Sequence, residues 1–130
     1  MYKSLLFFMA FLLCMNITSS SQTVRRIDIR VDSLYNPSSC PAVITFTATI
    51  YSTGTGSLKY KWERSDGATD TNNSFVTLGG TGVDVVTTTW TLGRTYSGWE
   101  KLVVISPVQA SSRAAHFRLV CRSERPKKSR

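Results

Sequence analysis

Residues 40–51, CPAVITFTATIY, decide how the rest of the chain is read. Ala42, Ile44, Phe46, Ala48 and Ile50 fall on one side of an extended backbone, and Thr45, Thr47, Thr49 and Tyr51 fall on the other. Side chains two apart share a face of a strand, so the pattern predicts a half-buried strand with an apolar inner face. Cys40 is in phase with that face and points toward the core, where a second cysteine can meet it.

The same alternation recurs on both sides. Upstream, residues 24–34 (VRRIDIRVDSL) put Ile27, Ile29 and Val31 on one face and Arg26, Asp28, Arg30 and Asp32 on the other. Asn36-Pro37-Ser38-Ser39 stops that strand, because proline fixes φ and has no N–H to give. Downstream, residues 58–64 place Leu58, Tyr60 and Trp62 inward and Lys59, Lys61 and Glu63 outward, closed by an Asp66-Gly67 turn. A polar loop, 67–74, leads to a short strand over 74–78. Residues 84–92 (DVVTTTWTL) carry Val86, Thr88, Trp90 and Leu92 on one face. After a connection over 93–98, residues 99–106 form a sixth strand, whose continuous LVVI run predicts a central, doubly covered position. Residues 107–113 read as a loop. The last strand turns Ala115, Phe117, Leu119 and Cys121 inward and His116, Arg118, Val120 and Arg122 outward.

Seven short strands separated by turn signals, with no helical period, predict an all-β antiparallel sandwich. With strand directions alternating, the second strand begins at the pole where the last one ends. In an immunoglobulin-like arrangement these two strands lie in opposite sheets. Cys40 and Cys121 are therefore expected to be buried and joined, clamping the sheets at one pole.

The chain has 130 residues, enough for one domain. Its first 21 residues read as a signal peptide: Lys3, the apolar run LLFFMAFLLCM over 5–15, then the small residues Ser19, Ser20 and Ser21 ahead of Gln22. The run is short for a membrane span, which takes about 20 residues. The alternatives are an uncleaved anchor and lipid attachment at Cys14, where the large Leu13 does not suit a lipoprotein cut. Residues 22–122 then form the sandwich, and 123–130 form a basic tail. The whole chain carries 16 basic and 8 acidic residues; losing Lys3 leaves 15 against 8, a net charge of +7. Only Cys40 and Cys121 remain, and in an oxidising compartment such a pair defaults to a disulfide. A secreted, periplasmic or cell-surface location follows.

The set SCPAVITFTATI, LKYKWERSDGA, VTTTWTLG, SGWEKLVVISP and AAHFRLVCR resembles a family of small secreted bacterial immunoglobulin-like domains of uncharacterised function, over nearly all of residues 38–122. Tyr60-x-Trp62 with the Asp66-Gly67 turn is also similar to fibronectin-type-III and polycystic-kidney-disease-type sandwiches. The resemblance implies a β-sandwich and export, and brings no catalytic residues. The antibody pattern does not fit, since Leu119 stands where a tyrosine would precede the second cysteine.

No catalytic set or cofactor motif emerges. His116, the one histidine, falls on an outward phase without a nucleophile or an orienting acid at a fitting spacing. Gly79-Gly80-Thr81-Gly82 lacks the lysine and helix of a phosphate loop. Asp66, Asp70, Asn72 and Asn73 crowd one loop, and Asp66, Asp70 and Asn72 are candidate calcium ligands, although their spacing matches no calcium loop. Lys59, Lys61, Lys101, Arg118 and Arg122, with Arg64 nearby, are candidates for a basic face that meets an anionic surface. Trp62, Trp90 and Trp99 read as core, and the scarcity of outward aromatic residues argues against specific nucleic-acid binding. The expectation is an exported non-enzymatic module that binds a protein or glycan partner or acts as a spacer. The alternatives are a hydrolytic enzyme working through Asp66 and Asp70, and a cationic factor for anionic surfaces.

Overall fold

The structure is a computed structural model that describes residues 22–32, 38–69, 74–79 and 82–122. The expected signal peptide, the 123–130 tail, and Asp70, Asn72 and Asn73 lie outside the described residues. Among those described, eight strands are defined: β1 (Thr23–Val31), β2 (Ala42–Thr53), β3 (Gly56–Arg64), β4 (Ser74–Leu78), β5 (Val83–Leu92), β6 (Tyr96–Ser106), β7 (Ala110–Ser111) and β8 (Ala115–Leu119). They form two antiparallel sheets. One runs β1-β2-β5; the other runs β4-β3-β6, with β7 and β8 both pairing with β6. No helix of the described residues is long and apolar enough to cross a membrane.

The alternation that predicts β2 holds along its length. Ile44, Phe46, Ala48 and Ile50 are fully buried, and the threonines between them are not. The facing layer comes from Leu58, Tyr60 and Trp62 on β3, Leu102 and Val104 on β6, and Phe117 and Leu119 on β8. Aromatic rings stitch the layers together. Phe46 meets Phe117 edge-on at 5.8 Å, and Trp90 meets Phe117 at 5.4 Å and Tyr96 at 5.5 Å. Edge-to-face pairs align a positive ring edge with a negative face and add about 0.5–1.5 kcal/mol each to the area they bury.

This cluster sits beneath the disulfide. Cys40 just precedes β2 in one sheet, Cys121 follows β8 in the other, and their Cα atoms are 5.6 Å apart. Backbone bonds seat the same pole: the Ser38 amide donates to the Val120 carbonyl at 2.8 Å, and the Arg122 amide donates to the Ser38 carbonyl at 2.8 Å. The Cys121 amide donates to Thr95 Oγ1 at 3.0 Å. The cysteines are half-buried rather than buried, because they lie just beyond the strand ends, at the rim of the core.

Three other expectations are corrected. The sixth strand starts at Tyr96, and Gly98 lies inside it. A Cβ at Gly98 would come within 2.5 Å of Ser65 Oγ, so the missing side chain lets the Arg64–Gly67 turn close over β6. The Ser65 amide donates to the Trp99 carbonyl at 2.9 Å, and the Trp99 amide donates to Ser65 Oγ at 3.1 Å. Second, β6 is central but not covered on both faces: Leu102 and Val104 are buried, whereas Val103 and Ile105 are only partly so. Third, the 107–113 stretch read as a loop holds a short strand, β7. β7 pairs with Val103 and Val104, and β8 pairs with Tyr96–Glu100. Four residue steps, from Ser111 to Ala115, span three on β6, from Val103 to Glu100. Such an extra residue is a β-bulge. Buried Ser112 fills it, its Oγ accepting from the Leu102 amide at 3.0 Å and donating to the Arg113 carbonyl at 2.7 Å.

Candidate functional site

The outer face of the β4-β3-β6-β8 sheet carries most of the residues that the sequence nominates for binding. Strand phase puts Lys59, Lys61 and Glu63 of β3 on it, with Trp99, Lys101, Val103 and Ile105 of β6 and His116 and Arg118 of β8. Trp99 thus lies outside the core, unlike Trp62 and Trp90, because it is out of phase with the buried Leu102 and Val104. Its register partner is the exposed His116.

Pairing registers place the cations along the sheet. Arg118 is opposite Ser97 at one end of β6, Lys101 is opposite Glu63 in the middle, and Lys59 is opposite Ser106 at the other end. Ser97 to Ser106 at roughly 3.3 Å per residue is about 30 Å. That is several Debye lengths at physiological salt, so the cations form a row and not a focused site. Arg122 lies beyond the end of β8, its amide tied to Ser38 at the disulfide pole, and so sits off the sheet.

The middle of the row is partly neutralised. Glu63 Oε1 is 2.9 Å from Lys61 Nζ, and Glu63 Oε2 is 3.2 Å from Lys101 Nζ. Hydrogen bonds from Lys61 and from Lys101, with their charges, outweigh burial and hold the Glu63 carboxyl below its ordinary 4.5. Lys101 Nζ also stands 5.7 Å from the centre of the Trp99 ring. One acid between two bases leaves a net charge of one at the centre. Glu63 is therefore the residue that the sequence reading underweights: the Lys59-x-Lys61-x-Glu63 alternation showed it on the basic face, but its shared pairing with Lys101 depends on cross-strand register. Beside the triad, a shallow depression of ≈ 470 Å³ is lined by Lys61, Val103, Ile105, Gln109 and Ser111 among others. Its apolar floor consists of the outward residues of the LVVI run.

Arg64 stands apart from the basic row. It turns inward at the end of β3, with its guanidinium 4.4 Å from the centre of the Trp90 ring. It also donates twice to Asp66, from Nε at 3.2 Å and from Nη2 at 2.7 Å. The Ala68 amide donates to the same carboxylate at 3.0 Å. Burial pushes the Asp66 carboxyl up, but the Arg64 and Ala68 hydrogen bonds together with the Arg64 charge prevail and hold it below its ordinary 3.8. Gly67, at φ +84°, supplies the left-handed residue that ends this turn. Asp66 thus anchors the turn, its oxygens accepting from an arginine and an amide. Among the described residues, no three His, Cys, Asp or Glu side chains gather as a metal would require. No protein-family model, curated protein or solved structure matches the chain.

Proposed function

We propose that this protein is an exported, non-enzymatic binding or spacing module of immunoglobulin-like type, working at the cell envelope or in the medium. The observation that carries the reading is the Cys40–Cys121 bond between the two sheets, which a reducing cytosol would not maintain. The strand order supports the type. The fourth strand joins the sheet of β3 and β6 at its β3 edge, not the sheet of β2 and β5, as in the fibronectin-type-III variant of the sandwich. The resemblance of residues 38–122 to small secreted bacterial immunoglobulin-like domains points the same way. Fractionation with thiol blocking tests it. The expected result is an extracytoplasmic protein that starts near Gln22 and has no alkylatable thiol at Cys40 or Cys121. A cytosolic protein with both thiols open to alkylation would overturn the reading.

The row of Arg118, Lys101, Lys61 and Lys59 favours a second reading, an attraction to extended anionic surfaces such as acidic lipid or polysaccharide. Binding to acidic liposomes should weaken between low and physiological salt. Glu63→Gln should strengthen it by releasing two lysines. Salt-independent binding, or none, would retire this reading.

A further inference from the structure

The β1-β2-β5 sheet has an edge that no strand among the described residues covers. The Ser52 amide donates to the Gly82 carbonyl at 2.9 Å, and that residue pair continues the β2–β5 register. In an antiparallel pair, successive residues turn their N–H and C=O alternately toward and away from the partner strand. Asp84, Val86, Thr88 and Trp90 therefore face β2, while Val85, Thr87, Thr89 and Thr91 aim their backbone groups at the free edge. Among the described residues, no strand or turn takes up those four.

The protein blunts its other edges. β1 carries Arg25, Arg26, Asp28 and Arg30, β4 is five residues long, and the β7–β8 edge is broken by the Ser112 bulge. Charge, shortness and bulges are the usual means by which a sheet edge avoids pairing with another chain. β5 has none of them. It is ten residues long without proline, and its one charged residue, Asp84, points to the inner side. Its outer row is Val83, Val85, Thr87, Thr89 and Thr91, with Val85 59 % exposed.

We propose that β5 pairs with β5 of a second copy of this chain, joining two three-stranded sheets into a continuous six-stranded one. The sequence suits a two-fold. With the axis at Thr88, Val85 lies opposite Thr91 of the other copy and Thr87 opposite Thr89. Four such residue pairs exchange about eight backbone hydrogen bonds. The valine–threonine pairing that results is of the kind already made within one copy, where β2 and β5 pair Thr49 with Val85 and Val43 with Thr91. Cross-strand pairs of β-branched residues stabilise a sheet, and no like charges oppose one another across this register. A foreign strand would also fill the edge, but the two-fold match of β5 to itself favours a second copy.

The test is sedimentation velocity on the disulfide-intact chain from Gln22 over a concentration series, which such a small interface demands. A reversible dimer is expected, and higher salt should favour it, because each such copy carries 15 basic against 8 acidic residues, a net +7. Val85→Lys places a charge in the paired row without touching the β2 ladder, and should weaken dimerisation at least tenfold. Thr89→Pro removes an N–H that faces the open edge and not β2, and should do the same. Circular dichroism and the thermal midpoint establish that each variant is folded; Val85→Lys, an outward change, serves if Thr89→Pro does not fold. A chain that stays monomeric throughout overturns the proposal. So does a dimer that Val85→Lys leaves unchanged.

Discussion

Replacing Cys40 and Cys121 together by serine should cost about 2–5 kcal/mol and leave the strand order intact. The bond closes a loop of 81 residue steps. On the chain-entropy model, a loop of that length removes about 15 cal/mol/K from the unfolded chain, or about 4.5 kcal/mol at 25 °C. Two features keep the native state in place without the bond. The Ser38 amide and carbonyl still join Val120 and Arg122, and the Phe46, Trp90, Tyr96 and Phe117 rings still pack beneath. Residual structure in the variant's unfolded chain pulls the loss below the full figure. Urea titration followed by tryptophan fluorescence reads the change, since Trp62 and Trp90 are buried and become exposed on unfolding. With a slope of about 1–1.5 kcal/mol/M, the midpoint should fall by about 1.3–5 M. A fall under about 0.7 M would refute the reasoning, because the pole's hydrogen bonds alone would then confine the chain as well as the disulfide does.

Ser112→Ala should cost about 1–3 kcal/mol by leaving the buried Leu102 amide without its acceptor. Faster hydrogen exchange at that amide is the accompanying signature, and unchanged stability would show that the bulge is held by its backbone alone. Glu63→Gln should lower stability only where Glu63 is ionised. Its folded-state pKa lies below the ordinary 4.5, so its contribution is present above that value and is lost as pH falls through the lowered one. Thermal midpoints of wild type and variant should therefore differ at pH 6–7 by about as much as at any higher pH, and converge as pH falls through the lowered folded-state value. A gap that widens in acid would contradict the ion pairs with Lys61 and Lys101.

What the sequence makes legible is whatever depends on period 2. The inner face of β2 and the pairing of Cys40 with Cys121 follow from alternation plus strand direction, and the structure has them. What it hides depends on neighbours far along the chain. Gly98 looks like a turn residue because glycine usually marks one, yet its role is to admit Ser65, 33 positions earlier. The LVVI run looks doubly buried because all four residues are apolar. No layer of the described residues lies outside β6, and Val103 and Ile105 floor a surface depression. Glu63 reads as one outward charge among several until register brings Lys101 alongside it.

The two outer faces differ in a way that bears on how the protein meets others. One sheet presents Lys59, Lys61, Lys101 and Arg118 in a row, relieved by a single acid. The other confines its outward charges to β1 and presents uncharged pairs between β2 and β5, Thr45 with Thr89 and Thr47 with Thr87, next to a backbone edge that no described residue pairs with. Contacts through these faces respond to salt with opposite signs. Screening weakens attraction between a cationic row and an anionic surface, and it relieves repulsion between two like-charged copies that join through neutral strands. Joining copies at β5 leaves the cationic sheet uncovered, so the two contacts are compatible, and a dimer would offer two such rows to one extended polyanion. Two tethered rows bind with an effective concentration that a monomer lacks. Val85→Lys, which adds a positive charge, would by simple electrostatics strengthen anion binding. If it weakens that binding instead, the dimer is the form that binds.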